Sequence, residues 1–506
     1  MTVATCFRLK TPGCDKLGAL GGSRMYKEDL LNKRDRLAYR IILDVYLQNG
    51  VTTLAGISQR LQIPLSSVKR YLADLVHNLS PWTSSQKVRF EVNGTKVIFQ
   101  LLGAVTIDDL LVKQQLQTAD NVVLLKFLYQ HGLRFRAPQL MNVMHVSEAS
   151  LYRKLKTLNA LLAPFDLHVT NGQLVGDLNQ LHFFYFNFWR TIGERLPVSN
   201  DFDVMKQWLI NEGFRLDDHM VDRLQDWLAI MQQSVTNQWS YRREASLNSQ
   251  RLMRQTPIFE RLQRESEWSI AKRQAILLFI LLHSEFMFTD QMWQSLFLSK
   301  ETAIARLVRL VITCKQALRE AWSGVPLPEM LTGQRLAGIF IVPMVTVGDV
   351  QIFDDISFHY FTRAFFRNTD RQAFDCVQYQ LTHTASSWIN QFARRHWPYI
   401  ERRLWPYLVI QSRRVALHVG LALGFSTTVT QFAKRALMDV LTQTLAVTIS
   451  DYQVGTAFDF IVVNNRTASI ISELTDTPTE KITELGTERD YQRIAHRLRT
   501  LLEKRD

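Results

Sequence analysis

Cysteine is scarce in this chain. Its 506 residues hold four, at Cys6, Cys14, Cys314 and Cys376, and none forms a CxxC pair. That spacing excludes a zinc knuckle and a disulfide framework, and it fits a reducing cytoplasm. Long apolar runs are missing as well. The longest, Ala275 to Leu282, is far too short to span a bilayer, and Arg8, Lys10 and Lys16 interrupt any signal-peptide core at the start. There is no Walker loop, GxSxG or HExxH, so nothing concentrates catalytic groups, and the expectation is a non-enzyme without metal or cofactor. Acidic residues are in deficit: 47 Asp and Glu face 60 Lys and Arg, a net charge of +13. With 46% hydrophobic and 21% charged residues, the chain reads as soluble, globular and long enough for several domains.

What is present is a helix-turn-helix phrase written twice. The first copy is ISQRLQIPLSSVKRYLADL, from Ile57 to Leu75, and the second is LMNVMHVSEASLYRKLKTL, from Leu140 to Leu158. One constant offset brings apolar onto apolar: Ile57 onto Leu140, Leu61 onto Met144, Ile63 onto Val146, Val68 onto Leu151, Leu72 onto Leu155 and Leu75 onto Leu158. Ser67 matches Ser150 and Arg70 matches Arg153 outside that stripe. Residues 24–160 carry 19 Lys and Arg against 10 Asp and Glu, a surplus suited to a polyanion.

Each copy has the context of a winged helix. In the first, a helix over 35–48 ends at Asn49-Gly50, a left-handed cap signal. A short helix over 54–61, the turn Gln62-Ile63-Pro64 and a recognition helix over 65–77 follow. An alternating segment, 87–101, then folds back around Asn93-Gly94 as a hairpin. In the second, a lead-in helix covers 107–116, Asp120 can cap the next helix, and the helix-turn-helix occupies 137–162. Its wing, 167–175, turns on Asn171-Gly172.

Beyond residue 177 helical periodicity dominates, with breaks at Leu196-Pro197, at 324–326 and at Pro343. Six aromatics between Phe183 and Trp189 read as core or dimer interface before ligand box. From about Tyr407 the pattern changes to strands at 415–423, 445–449 and 458–463, with helices at 426–441 and 488–502, a small α/β domain with a mostly parallel sheet. The expected fold is therefore multidomain and mainly α. Its parts are a disordered extension (1–24), two winged helix-turn-helix domains (25–103 and 104–176), two all-helical domains (177–290 and 291–404) and a C-terminal α/β domain (405–506).

That order resembles the Mga/AtxA-like family of global transcriptional regulators of Gram-positive bacteria. The likeness is clearest in VSEASLYRKLKTLN from Val146 and in NGQLVGDLNQLHFFYF from Asn171, and it extends from about residue 25 to the end. The resemblance implies that the helical pair are phosphotransferase-system regulatory domains (PRDs) and that the tail is similar to an EIIB phosphocarrier. It also implies control by histidine phosphorylation, with a phosphotransferase-system phosphocarrier as a partner. His219, in FRLDDHMVDRL beside Asp217 and Asp218, is the first choice for phosphorylation, and His383 is the second-domain candidate. His182, His283 and His359 read as packed core histidines. The EIIB-like tail departs from its family in having no cysteine in HVGLALGFSTTV, from His418, so it keeps no phosphocarrier nucleophile. The loop from Gly424 to Thr428 ahead of a helix offers at most a weak anion site.

The residues left for DNA are Ser66, Ser67, Lys69, Arg70 and Ala73 in the first recognition helix, with Lys87, Arg89 and Lys96 in its wing. In the second they are Glu148, Ser150, Tyr152, Arg153, Lys154 and Lys156. Arg and Lys reach guanine edges or phosphates, whereas Ser and Tyr mostly serve the backbone. No Asn or Gln stands ready for adenine, so a large electrostatic and shape component is expected. Both modules can read DNA, or one alone with the other a spacer; the second is the more basic. The expected protein is a cytoplasmic homodimer or higher oligomer on promoter DNA, with no membrane attachment. The competing class is a PRD-containing RNA-binding antiterminator or a phosphotransferase-system signalling component. An antiterminator would begin with a small β-rich domain, not two winged helices.

Overall fold

The computed structural model describes residues 25–505 apart from 103–104, 111–114, 240–246, 322–328, 349, 351–352, 354–367, 412–416, 426 and 442–446. The expected extension 1–24, the break at 324–326 and His359 lie outside the described residues. The molecule is mainly helical, with a small sheet near the C-terminus. It separates into two compact units, one of residues up to 316 with 328–361 and 378–404, the other of 317–327, 362–377 and 405–506. No helix among the described residues is long and apolar enough to cross a membrane.

The first unit opens with α1 (Lys33–Leu47), started by Asn32, whose side chain accepts the Asp35 N–H at 2.9 Å. Asn49 and Gly50 both take positive φ and stop it, as the cap signal requires. There follow β1 (Val51–Thr53), α2 (Leu54–Leu61), α3 (Leu65–Asn78), α4 (Ser80–Ser84), β2 (Val88–Asn93) and β3 (Lys96–Leu101). The three strands form one antiparallel sheet in the order β1-β3-β2. Ile41, Val45, Ile57, Val68, Leu72, Leu75, Val97 and Phe99 bury one common core. This is the helix and strand order of a winged helix. The hairpin differs from expectation by one residue: Asn93 pairs with Lys96, so Gly94-Thr95 is the central pair. Only Gly94 needs positive φ there, which glycine supplies without a side-chain clash, and Asn93 stays in the strand.

After α5 (Ile107–Leu110) come α6 (Asp120–Gln130), α7 (Ala137–Met144), α8 (Glu148–Leu162), β4 (His168–Thr170) and β5 (Gln173–Val175). The offset that lays Ile57 on Leu140 also lays Gln62 on His145, and both are left-handed, at φ 55° and 52°. It lays Asn49-Gly50 on Gly132-Leu133, again both at positive φ. The repeat is thus one of backbone geometry as well as of apolar spacing. The second wing is shorter and turns on Asn171-Gly172, both left-handed, as its sequence predicts. Asp120 does not cap α6. It is the first helical residue, Ala119 stands at the cap without a side-chain bond, and the Asp120 carboxylate takes the Lys154 ammonium instead.

The second module is not free-standing. Tyr129 at the end of α6 packs its ring 5.2 Å from Tyr185, 5.0 Å from Trp189 and 5.7 Å from Trp239. Tyr185 and Trp189 belong to α9 (Leu178–Ile192), which carries the aromatic run and buries five of its six rings. Next come α10 (Phe202–Asn211) and α11 (Asp218–Thr236). Just beyond α11, Asn237 donates its side-chain amide to the Gln130 carbonyl at 3.1 Å. The helical region continues as α12 (Leu247–Arg254), α13 (Pro257–Gln263), α14 (Ile270–Leu282), α15 (Ser284–Met287) and α16 (Asp290–Leu298). It ends with α17 (Thr302–Ala321), α18 (Glu329–Val345), α19 (Asn368–His383) and α20 (Ser387–Gln411). Pro343 does not break a helix: it sits in the last turn of α18, two residues before its end. A proline there removes one bond from a turn that is already ending, and Thr346 satisfies the Val342 carbonyl at 2.9 Å. His182 and His283 are core residues as expected, and burial pushes their imidazoles down to about 4 and about 3.

The second unit contains β6 (Leu417–Ala422), α21 (Thr427–Leu441), β7 (Val447–Asp451), β8 (Phe460–Val463), α22 (Ala468–Leu474), β9 (Thr479–Lys481) and α23 (Glu488–Arg505). Its four strands are all parallel, in the order β7-β6-β8-β9. Val419, Leu421, Phe460 and Val462 pack against Leu437, Leu441, Ile494 and Leu498 on one face. The other face places Ile461 and Val463 under Ile471. The loop from Gly424 to Thr428 falls partly outside the described residues.

At Gly132 the second module packs closely against the helical region. Its φ is +64°, and a Cβ there would lie 2.6 Å from the Asn237 carbonyl oxygen. Both factors oppose a side chain, so Gly132→Ala is expected to cost about 1–3 kcal/mol. Thermal or urea unfolding followed by circular dichroism measures it; an unchanged midpoint contradicts the contact.

Candidate nucleic-acid interface

A recognition helix can present only what its core stripe leaves over. In α8, Leu151, Leu155, Leu158 and Leu162 are buried. Ala149, Tyr152, Arg153, Lys156, Thr157 and Ala160 are exposed, and their three-and-four spacing makes one continuous outward face. In α3, Val68, Tyr71, Leu72 and Leu75 are buried, and Ser66, Lys69, Arg70, Ala73 and His77 are exposed along the corresponding face. A straight α-helix of this kind fits the major groove of B-DNA, which is about 12 Å wide.

The turn ahead of each helix is built the same way. In the first, the Ile63 N–H donates to the Ser58 carbonyl at 3.1 Å, and the Ser58 hydroxyl returns a bond to the Ile63 carbonyl at 2.6 Å. In the second, Val146 N–H reaches the Met141 carbonyl at 3.1 Å. The first module is further braced by Arg60, which grips both oxygens of Asp44 at 2.8 Å and donates to the Thr52 hydroxyl at 2.7 Å. That bidentate pair ties α2 to α1 and so fixes the platform for α3.

The sequence-predicted residues divide in their surroundings. Arg153 is exposed and lies along its helix, donating to the Ser150 hydroxyl at 3.0 Å. Ser150 is half-buried and also accepts from the Ser147 hydroxyl at 3.2 Å. Tyr152 is 57% exposed, unusually open for an aromatic that a core could use. Lys156 and Glu148 are exposed too. Lys154 differs: it is half-buried and paired with Asp120 of α6, so its charge is already met inside the module. The equivalent position in α3 is Tyr71, a buried ring with Arg70 5.3 Å above it. In α3, Ser67 is half-buried at the helix start.

In the first wing, Lys96 is exposed beside the turn, paired across it with Asn93. Lys87 is exposed over the Trp82 ring at 5.7 Å. Arg89 is bound to Glu91 at 2.7 Å, and the guanidinium holds that carboxyl below its usual range, so this cation is offset locally. Two cations escaped the sequence reading. Arg134 and Arg136 are exposed between α6 and α7, and Arg134 forms a bridge with Gln173 of the second wing. They lie in the stretch that corresponds to β1, which reads as plain loop because only one bridge forms there. His219 and His383, away from this surface, are both exposed: His219 on α11 accepts from Arg223 at 2.9 Å, and His383 stacks on Tyr379 with ring centroids 4.4 Å apart.

Residues 109–189, which contain α6 to α8, the second wing and most of α9, match the family model described as the Mga helix-turn-helix domain. No curated protein matches the chain. The resemblance to Mga-like regulators therefore has independent support in the second module, and that module is a helix-turn-helix domain of a DNA-binding regulator type.

The split between Lys154 and its neighbours is testable. Arg153→Ala combined with Lys156→Ala should weaken duplex DNA binding by roughly tenfold or more. Lys154→Ala should change it by less than about threefold and act on stability instead, by up to about 1 kcal/mol. Fluorescence anisotropy with a labelled duplex at fixed salt separates them; equal losses in both variants would contradict this placement.

Proposed function

We propose that the chain is a transcriptional regulator that reads duplex promoter DNA with two winged helices per protomer, and that it acts as a global activator rather than an enzyme. The observation that carries this reading is the exposed face of α8 bearing Tyr152, Arg153 and Lys156, inside the segment matched to the helix-turn-helix family. A net charge of +13 supports it. The first module contributes Lys69, Arg70 and Lys96 to the same duplex, and phosphate contacts from Arg134 and Arg136 position the second. The protein works in the cytoplasm as a homodimer or higher oligomer, held through its helical and C-terminal parts.

The finer division belongs to the same proposal: two PRD-like domains over 177–290 and 291–404, and an EIIB-like domain over 405–506 that has no cysteine nucleophile. Regulation acts through His219, with His383 as the counterpart in the second of these domains, on phosphorylation by a phosphotransferase-system phosphocarrier or in response to carbon source. Exposure of both imidazoles supports access by such a partner. A phosphoryl group on His219 adds negative charge beside Asp217 and Asp218, and their repulsion shifts the packing of α11.

DNase footprinting on promoter fragments tests both levels. The full chain is expected to protect a discrete stretch, and His219→Asp is expected to change the protection or the promoter activity relative to His219→Ala across carbon sources. Absence of any footprint at moderate salt would sink the DNA reading. Identical behaviour of the two His219 variants would remove the switch.

A further inference from the structure

Arg223, on the second turn of α11, is half-buried and has no carboxylate in ion-pair range among the described residues. Its donors go to two imidazoles instead. Nε donates to Nε2 of His219 at 2.9 Å, and Nη1 lies 3.3 Å from Nε2 of His283. His283 is buried, and its Nδ1 lies 2.9 Å from the Phe279 carbonyl. That bond puts the ring proton on Nδ1 and leaves Nε2 as an acceptor facing the guanidinium. A neutral imidazole is a poor substitute for an anion as the partner of a partly desolvated arginine.

The surroundings add positive charge. Arg190 and Arg403 stand near enough that they, after burial itself, push the Arg223 guanidinium down to about 10. Arg190 is already matched by Asp226 at 2.6 Å and Asp222 at 3.2 Å, and Arg195 adds a second contact to Asp222. Arg403 is exposed, rests 5.7 Å from the Tyr399 ring centre and has no ion pair among the described residues. The acidic groups nearby are committed or distant. Asp217 turns its carboxylate onto the Met220 N–H at 2.8 Å, Asp218 is exposed at the helix start, and Glu285 feels the charge of Arg403 without reaching it. Arg223, beside the exposed imidazole of His219, and Arg403, near enough to act on it through its charge, are thus left over.

We propose that Arg223, with Arg403, His219 and His283 around it, forms a binding site for a phosphate group, either inorganic phosphate or the phosphoryl end of a small metabolite. The planar fork of Arg223 offers paired N–H donors suited to two phosphate oxygens. His219 turns aside to free the guanidinium for the ligand, while Arg403, near enough to act on Arg223 through its charge, adds to the positive field. No bond to phosphorus forms or breaks. The position has a consequence for the DNA module that rests on the functional reading above. Near the far end of α11, Gln233 donates to the Tyr129 carbonyl at 3.4 Å, and just past it Asn237 donates to the Gln130 carbonyl at 3.1 Å. One helix therefore connects the phosphate site to the helix on which the second recognition module is mounted.

Isothermal titration calorimetry of the full chain, at constant ionic strength, tests the site with inorganic phosphate and glucose 6-phosphate as separate probes. Binding of one equivalent with a roughly millimolar or tighter Kd is expected, and the tighter probe identifies the source. Arg223→Gln and Arg403→Gln should each weaken it about tenfold. Arg403 is exposed, so its variant remains decisive if Arg223→Gln fails to fold. No heat of binding from either probe, or an unchanged Kd in Arg403→Gln, overturns the proposal. Duplex binding measured on the same samples keeps the two readings apart: a chain that binds phosphate but not DNA retains this site and loses only the DNA assignment.

Discussion

The burial of one apolar stripe on each recognition helix governs the arrangement described above. Leu151, Leu155, Leu158 and Leu162 must leave water, and doing so is worth about 1.5–3 kcal/mol for each leucine fully buried. Once that stripe is inside, a period of 3.6 residues dictates which side chains face outward. Tyr152, Arg153 and Lys156 are outside because the leucines are inside. The same constraint acts on Val68, Leu72 and Leu75 in the first module and exposes Lys69 and Arg70. The left-handed residues Gln62 and His145 then set the angle at which each stripe meets its core.

The two modules use this shared plan differently. The first is a winged helix with a long hairpin and a core that Leu110 of α5 completes. The second has a short wing and leans on the helical region through Tyr129, Tyr185, Trp189 and Trp239. Helix α11, which carries Arg223 near its start, bonds directly to the end of α6 through Gln233 and Asn237 near its other end. The second module is also the one whose segment matches the helix-turn-helix family.

Much of this was legible in the sequence, for identifiable reasons. A helix end and a hairpin turn were readable where left-handed residues were required, at Asn49-Gly50 and Asn171-Gly172, since few residues adopt that conformation. The recognition helices were readable because their apolar spacing repeats. The errors arose where a residue had two possible partners. Asp120 can cap a helix or pair with a lysine, and only the fold brings Lys154 close enough to decide. Lys154 reads as a groove residue from its charge and its place after Arg153, and only the fold shows its pairing with Asp120. Pro343 looked like a break because its place in the final turn is invisible without the helix's length. In the second unit, α22 and β9 were missed, since a three-residue strand has too little pattern to register. Arg223 was overlooked because its significance lies in what surrounds it, and His283 is distant in the chain.

The central claim is that the exposed basic faces of α3 and α8 meet a duplex through its phosphates. The most direct measurement is the affinity of the full chain for duplex DNA as a function of salt. Each neutralised phosphate contributes a slope of about −0.9 in log K against log salt. The account predicts a steep negative slope equivalent to several phosphate contacts. Binding that ignores salt, or no binding to duplex DNA at low salt, would contradict it.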